Sequence, residues 1–189
     1  MPDSPEKRCC LLIAMPQLAD PNFFRTTSLL SEFTKEGAMG VILNRPLGIS
    51  VTQLVHDGKP IEGPSTIQAY WGGPVQNERG FVVHESLSLA SQGLEIESGL
   101  FLSGSSEVLR ALMEEQKNPN PPRFRLFLGY AGWGAGQLEQ EIAAASWLTA
   151  PIDRELIFDS AAQTLWTRSI QKLGVDVSAL ASVPQGEAN

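Results

Sequence analysis

The sequence is poor in the residues that build metal sites and disulfide frameworks. Its 189 residues include two cysteines and two histidines. Cys9 and Cys10 are adjacent, and neighbours in an extended chain point to opposite faces, so they suit burial as small apolar residues better than a disulfide. His56 and His84 occur in separate segments without a thiolate cluster. We therefore predict no metal site and no bound cofactor.

Positive charge is also scarce. Fourteen Lys and Arg residues oppose 21 Asp and Glu residues, which gives a formal net charge of -7. Proteins that bind duplex nucleic acid neutralise its phosphates with clustered Lys and Arg. Arg123 and Arg125 are the only closely spaced basic pair that we predict in a sheet. The composition therefore predicts no direct binding of nucleic acid.

Long hydrophobic runs are absent. No run approaches the roughly 18 consecutive apolar residues of a membrane span. The apolar run 9–15 has the length of a minimal signal-peptide core, but Pro16 and the pair Asp20-Pro21 follow it closely. We interpret it as a first β-strand. We predict a cytoplasmic protein without a membrane partner.

The sequence does have the composition of one globular domain. Hydrophobic residues make up 42% of the chain, and its length lies within the usual range of single domains. It contains no internal repeat, no low-complexity tract and no interior linker. We predict a single domain over 1–189, with a core from about 9 to 181 and a polar tail over 182–189.

Short strand-like segments recur along the chain. Segments 28–33 and 38–44 flank a short loop that ends in Gly37, which suits a hairpin; one longer helix over 20–37 is the alternative. In a predicted strand over 123–130, successive residues alternate between two faces. Its predicted core-facing side carries Phe124, Leu126, Leu128 and Tyr130. Further strands are predicted over 11–15, 67–71, 81–84, 100–103 and 156–158.

Helical patterns are fewer. Ser50, with Gln53 three residues later, predicts a short capped helix over 51–56. Ser105 is interpreted as the cap of a helix over 105–118. Further helices are predicted over 136–145 and about 160–173, the last stopped by Gly174. Hairpins with irregularly inserted helices predict an α+β fold with a largely antiparallel sheet.

Two glycine-rich segments are candidate ligand sites. Segment 129–136 is expected between a strand and a helix, where glycine lets backbone N–H groups approach a ligand. Its GxGxG spacing matches no nucleotide-binding motif, so close helix-on-sheet packing and a ligand-lining loop both stay open. Segment 70–75 ends a strand in a Gly-Gly-Pro turn. The glycine and aromatic candidates are Trp71, Gly72, Gly73, Tyr130, Gly132, Trp133 and Trp147.

Polar candidates lie at the ends of predicted strands and on one helix. Asn44 and Arg45 follow a strand, where Arg45 is suited either to clamp a carboxylate or phosphate or to pair with a surplus acid. His84 is placed as a general base or as a hydrogen-bonded structural residue. Gln137 and Glu141 share a helix face, which either points to the glycine segment or faces solvent.

Seven segments together resemble the AlgH/YqgE family of bacterial proteins. They follow one another from about Leu11 to Gly174 and so cover most of the chain. Segments 58–65 and 88–98, the tail, and the pair Cys9-Cys10 carry no motif of the family. The seven segments are LLIAMP (11–16), DPNF (20–23), GAMGVILNRP (37–46), GGPV (72–75), RGFVVH (79–84), GYAGW (129–133) and GQLEQE (136–141), with Trp147 following the last.

The resemblance implies a single-domain α+β fold, with a bent sheet forming a pseudo-barrel flanked by helices, in cytosolic proteins of unestablished molecular function. Members are often labelled transcriptional regulators, a label inherited from one member's effect on alginate production. The acidic composition favours an indirect role. We predict a non-enzymatic module that binds a small molecule or a protein partner. The alternative is a small-molecule enzyme in which His84 is the acid/base and Arg45 orients an anionic substrate.

Overall fold

The fold is described by a computed structural model over residues 9–56 and 59–176. The predicted tail, 182–189, lies outside these residues. The strands are β1 (Cys10–Ala14), β2 (Thr27–Thr34), β3 (Gly37–Ile42), β4 (Pro46–Ser50), β5 (Val55–His56), β6 (Lys59–Pro60), β7 (Gln68–Trp71), β8 (Val75–His84), β9 (Leu94–Glu97), β10 (Leu100–Ser103), β11 (Phe124–Gly134) and β12 (Trp147–Ala150). The α-helices are α1 (Ser106–Glu115), α2 (Gln137–Ala143), α3 (Arg154–Phe158) and α4 (Ala162–Lys172), and Val51–Gln53 and Leu87–Gln92 form 3₁₀ helices.

One large sheet organises the domain. Its strand order is β12-β1-β2-β3-β11-β8-β10-β9, while β7 pairs with β11 and β4. The β7–β11 pair is parallel, and the other pairs in this sheet are antiparallel. Within the described residues the terminal strands β12 and β9 do not pair with each other, so the sheet is open and not a closed barrel. The predicted α+β fold with a largely antiparallel sheet is confirmed.

The β2–β3 hairpin confirms one of the two alternatives for its segment. Leu29 of β2 lies opposite Val41 of β3, and both are fully buried. The alternative of a single helix over 20–37 is therefore wrong. Helix α4 covers the neighbouring β1, where the indole N–H of Trp166 donates to the carbonyl of Ala14 at 2.8 Å.

Strand β11 is longer than predicted and changes partners along its length. Its first half pairs with β8 and β7, and its last residues pair with β3. The prediction that one face alone points to a core is wrong, because Phe127 and Leu126 are both buried in different core clusters. The register shifts between Leu128 and Tyr130, around Gly129 at φ +73°. Tyr130 consequently packs with the cluster of Phe127 and not with that of Leu128.

Several shorter elements differ from the predictions. The predicted strand 156–158 is the end of α3, which begins where the side chain of Asp153 accepts the N–H of Leu156 at 3.0 Å. The capping box of Ser50 and Gln53 is present, but the helix it starts has only three residues before β5 follows. Strand β12 was not predicted; it extends the sheet beyond β1. No helix in the described part of the chain is long and apolar enough to cross a membrane.

Candidate functional site

The paired glycines Gly72 and Gly73 form a close backbone contact with β11. A Cβ atom on Gly73 would lie 2.2 Å from the carbonyl carbon of Tyr130, and one on Gly129 would lie 2.4 Å from the carbonyl oxygen of Gly73. The Gly72 N–H also donates to the carbonyl of Leu128 at 2.7 Å. These glycines therefore hold the turn after β7 against β11, and Gly129 of the second glycine-rich segment takes part in this strand-to-strand contact.

Four predicted site residues meet at the end of β11. The indole N–H groups of Trp133 and Trp147 both donate to Oε2 of Glu141, at 3.1 and 2.8 Å. The side-chain amide of Gln137 donates to Oε1 of the same carboxylate at 2.8 Å. Phe23 stacks on Trp133 with ring centroids 5.8 Å apart and meets Trp147 edge-on at 5.3 Å. We call these five residues the tryptophan–glutamate cluster.

The cluster uses its polar groups internally. Gln137 also accepts the N–H of Gly134 at 3.0 Å, so the face of α2 that carries Gln137 and Glu141 points back to the glycine segment. Trp133 and Trp147 are 5% and 2% exposed. One carboxylate thus satisfies two buried indoles and one amide, an arrangement suited to fixing α2 on the sheet. A ligand-binding role for these residues stays a prediction.

Other glycine and aromatic candidates lie nearer the surface. Tyr130 and Gly132 line a shallow groove of about 480 Å³ together with Trp133, and the groove also contains Glu32 and Glu36. Trp71 is half-buried, and its indole N–H donates to Oδ1 of Asn77 at 3.2 Å. The structure therefore brings Tyr130, Gly132 and Trp133 together in one groove, whereas Trp71 and Trp147 do not line it.

His84 is fully buried at the end of β8. Its Nδ1 accepts the backbone N–H of Ser86 at 3.3 Å, and its ring stacks on Phe101 with centroids 5.4 Å apart. Within the described residues its Nε2 has no hydrogen-bond partner. Burial lowers the pKa of His84 against a smaller opposing effect of Glu115. The imidazole is therefore neutral at pH 7 and closed off from solvent.

Two serines and a glutamate lie beside His84 without forming a catalytic relay. Ser86 Oγ donates to Oε2 of Glu115 at 2.9 Å, and Ser88 Oγ donates to Oε1 at 2.6 Å. A serine–histidine–acid relay needs a hydroxyl bonded to the imidazole and the imidazole bonded to the acid. Here both hydroxyls bond directly to the carboxylate instead.

Asn44 and Arg45 hold neighbouring backbone and face a separate cavity. Asn44 accepts the N–H of Thr27 at 3.1 Å and donates to the carbonyl of Arg25 at 2.9 Å. The guanidinium of Arg45 donates to the carbonyl of Phe24. The cavity has a volume of about 360 Å³, and we call it the arginine pocket. It is lined by Arg25, Asn44, Arg45, Pro46, Ala162, Gln163, Trp166 and Thr167.

His84 does not line the arginine pocket. The structure thus does not bring together the two residues on which an enzymatic function would depend.

A further groove, of about 460 Å³, runs between α1 and the sheet. Its floor is built by Val82 of β8 and Leu126 of β11, which lie opposite each other in the strand register. Leu109 of α1 forms one wall, and Leu54 and Ile61 contribute from the segment around β5 and β6. We call this cavity the α1 groove. Its interior is mostly apolar.

The rim of the α1 groove carries charge and hydroxyl groups. The guanidinium of Arg79 lies over the ring of Phe81 at 5.1 Å. Ser105 Oγ accepts the N–H of Val108 at 3.3 Å and donates to Oε2 of Glu107 at 2.6 Å. The hydrogen bond from Ser105 lowers the pKa of Glu107, which is therefore ionised at neutral pH. Glu78 also lines the groove, so one cation, two acidic residues and hydroxyls border an apolar interior.

None of the site residues predicted from the sequence lines the α1 groove. Its lining comes from segments as distant as Leu54 and Leu128, which come together where α1 and the segment around β5 and β6 pack on the sheet. Ser105 was recognised as a helix cap, and this was the only local signal.

Comparisons with known proteins find relatives along nearly the whole chain. A family model described as AlgH-like matches residues 11–178. A UPF0301 protein of Shewanella sp. (strain ANA-3) is 44% identical over 177 residues, which cover 90% of this chain and 93% of that protein. A UPF0301 protein of Thioalkalivibrio sulfidiphilus (strain HL-EbGR7) is 40% identical over 173 residues, covering 88% of this chain and 89% of that protein.

Two solved structures share the fold. The solution structure of the AlgH protein from Pseudomonas aeruginosa matches with a TM-score of 0.74 and 39% identity, and the match covers 100% of both chains. The crystal structure of protein DIP2367 from Corynebacterium diphtheriae matches with a TM-score of 0.72, covering 97% of this chain and 95% of that one. Its identity of 20% supports a common fold and nothing further.

Proposed function

This chain belongs to the AlgH-like family, and we propose that it is a binding module for small amphipathic molecules. The observation that carries the proposal is the α1 groove. Its volume of about 460 Å³ falls within the range of small-molecule pockets, which combine an apolar lining with a few placed polar groups. The groove has both features.

The chemistry of the groove suggests how a ligand would lie. An apolar chain or ring would pack on Val82, Leu126 and Leu128, where its burial provides most of the binding free energy. A polar head would reach the guanidinium of Arg79, which is exposed and has no carboxylate within ion-pair distance in the described part of the chain. The preferred ligand therefore has an apolar body and one acidic or polar group.

We place this module in the cytoplasm and give it an indirect part in regulation. An acidic chain with a net charge of -7 is poorly suited to contact DNA itself. An effect on transcription would then pass through the bound molecule or a protein partner.

The enzymatic alternative receives less support from the geometry. His84 is buried and its Nδ1 is already bonded to backbone. Arg45 lines another cavity, and a general base must lie within hydrogen-bond reach of its substrate.

The proposal is tested with anilinonaphthalene sulfonate, a fluorescent probe that combines apolar rings with one sulfonate. We expect saturable binding to the folded protein, and displacement by small amphipathic acids. Gly80→Val fills the groove, because its side chain grows beside Leu126 Cδ1, 3.4 Å from the new Cβ. We expect at least about tenfold weaker binding by this variant, which corresponds to about 1.4 kcal/mol.

Gly134→Val is the matched control. Gly134 is an exposed glycine of β11, and a Cβ there has Gln137 Oε1 at 3.8 Å as its nearest neighbour. Near-UV circular dichroism verifies that both variants are folded. Equal binding by Gly80→Val and the wild type would contradict the α1 groove as the site, and turnover of a displacing ligand by pure protein would contradict the non-enzymatic function.

A further inference from the structure

We propose that the arginine pocket is a second binding site, distinct from the α1 groove, and that it takes the phosphate group of a small molecule. Two guanidinium groups, of Arg25 and Arg45, line this cavity of about 360 Å³ together with the indole of Trp166. No acidic residue in the described part of the chain lines it. The shared chemistry is a phosphate, either as the free ion or as a phosphomonoester.

Both arginines are held in position by the protein itself. Arg45 donates to the carbonyl of Phe24, and the guanidinium of Arg25 lies over the rings of Phe24 and Trp166, 5.3 and 5.2 Å from their centroids. Asn44 fixes the backbone at Arg25 by donating to its carbonyl. Because the side chains are already ordered, binding costs little further side-chain entropy.

The charge of the pocket is unbalanced within an acidic protein. Arg123, Arg154 and Arg168 each lie within ion-pair distance of a carboxylate. Arg25 and Arg45 have no such partner among the residues that the structure describes. Two arginines that line one cavity, with no carboxylate partner among the described residues, favour an incoming anion of charge near -2.

The other lining residues fit a phosphate with a small organic part. Helix α4 begins at the pocket, and its N-cap residue Ala161 supplies no side-chain hydrogen bond to the helix. Its first turn contains no acidic residue, so the partial positive charge of the helix end adds to that of the arginines. Trp166 and Pro46 offer apolar surface beside the charge. A phosphate alone would leave much of the cavity open.

Titration followed by NMR on the full chain tests the proposal, with three probes. Inorganic phosphate represents the free ion, phenyl phosphate represents a phosphomonoester, and benzoate matches the ring with a carboxylate. We expect phenyl phosphate to bind saturably and at least tenfold more tightly than benzoate, with shifts at residues of the pocket. Tighter binding of phenyl phosphate than of inorganic phosphate identifies an ester as the ligand class; equal binding identifies the free ion.

Charge variants locate the site. We expect Arg25→Gln to weaken binding of phenyl phosphate at least tenfold, and Arg45→Lys, which keeps the charge but loses the planar fork, to weaken it less. Lys35→Gln is the matched control, since it removes one exposed positive charge from the β2–β3 loop and leaves the pocket intact. Arg25 is exposed and its guanidinium rests on two rings, so its replacement is compatible with folding.

Three results would overturn the phosphate site. These are an absence of saturable binding, equal affinity for benzoate and phenyl phosphate, and an equal loss in Lys35→Gln and Arg25→Gln. Gly80→Val blocks only the α1 groove, so unchanged phosphate binding by that variant keeps the two proposals separate.

Discussion

Two places in the molecule bring aromatic rings and charged groups together, and they use them differently. In the tryptophan–glutamate cluster, one carboxylate accepts three hydrogen bonds, from two indoles and an amide. In the arginine pocket, the guanidinium of Arg25 lies over Phe24 and Trp166, Arg45 lines the same cavity, and none of the described lining residues is acidic. The first set of polar groups is satisfied within the protein, and the second retains unbalanced charge.

This difference separates stabilising groups from groups available for binding. Buried polar groups that are fully hydrogen-bonded contribute to stability and specify one arrangement. Charged groups without an ionic partner in the protein gain more from an oppositely charged ligand, because no ion pair has to be broken first. Substitutions in the tryptophan–glutamate cluster, and at the close glycine contact between Gly73 and β11, should therefore change stability. Substitutions in the arginine pocket should change binding instead.

The largest effect on stability is expected at Gly129, a residue of β11 that lies against the backbone of Gly73. Gly129→Ala places a Cβ 2.4 Å from the carbonyl oxygen of Gly73, at a φ of +73°. We expect a loss of about 3–5 kcal/mol in the free energy of unfolding, measured in urea. Gly48→Ala is the matched control, since Gly48 has φ +72° but no atom within 4 Å of the new Cβ.

The control separates conformational strain from collision. Gly48→Ala should cost only the left-handed conformation, about 1–2 kcal/mol. Equal costs at both positions would contradict the close contact between Gly73 and β11.

The second effect concerns Glu141, the centre of the tryptophan–glutamate cluster. Glu141→Ala removes the acceptor of two buried indole N–H groups, and we expect a loss of about 2–3 kcal/mol in the free energy of unfolding. Glu139→Ala, an exposed change on the same helix, should cost less than about 0.5 kcal/mol. Phosphate binding should be the same in both variants. A stable Glu141→Ala protein would mean that the cluster is not a structural unit.

The sequence predicts local elements well where a pattern is confined to neighbouring residues. The hairpin around Gly37 and the cap at Ser105 are both confirmed. The three apolar residues 156–158 were too short a run to distinguish strand from helix, and the capping signal of Asp153 was overlooked. At Gly129 the side chains of β11 change faces because the strand register shifts there. The alternation of residue types in the sequence does not reveal such a shift.

The candidate sites were less predictable than the fold. Gln137 and Glu141 share a face because of helical spacing alone, but the contact of Glu141 with Trp147 depends on how β12 pairs with β1. The α1 groove draws Leu54 and Leu126 from distant parts of the chain. Helical and strand periods describe one element at a time, whereas cavities form between elements.

His84 shares one property with each of the two regions. It is buried, like the tryptophan–glutamate cluster, and its Nε2 has no hydrogen-bond partner among the described residues. Burial lowers the pKa of His84 in the folded protein below the ordinary 6.5, which is the value expected in the unfolded chain. At a pH between the folded and the unfolded pKa, the unfolded chain therefore binds a proton that the folded protein does not. The free energy of unfolding should therefore fall as the pH drops below about 6.5, and it should stop falling on this account below the folded pKa. Urea unfolding between pH 7 and pH 5 measures the slope.

A variant isolates the contribution of this residue. His84→Phe lacks the titrating group, and its stability should depend less on pH in this interval. Burial raises the pKa of Glu85, but Arg123 and Arg154 outweigh it and hold the pKa below the ordinary 4.5. The stabilisation that Glu85 provides is therefore lost only below about pH 4.5, outside this interval. Identical slopes for the variant and the wild type would show that His84 is not the group responsible.

The smallest effect is expected for duplex DNA, where we predict no specific binding at physiological salt. The arginine pocket offers two guanidiniums in one cavity, whereas a DNA-binding surface engages roughly 6–10 phosphates along a backbone. The net charge of -7 adds long-range repulsion. Fluorescence anisotropy should show no submicromolar, salt-sensitive, sequence-selective titration. If it did, and Arg25→Gln abolished the binding, the pocket would belong to a nucleic-acid surface and a direct regulatory role would follow. If DNA binding is absent while Arg25→Gln still weakens phosphate binding, the unbalanced charge serves a small ligand, and the contrast with the satisfied cluster holds.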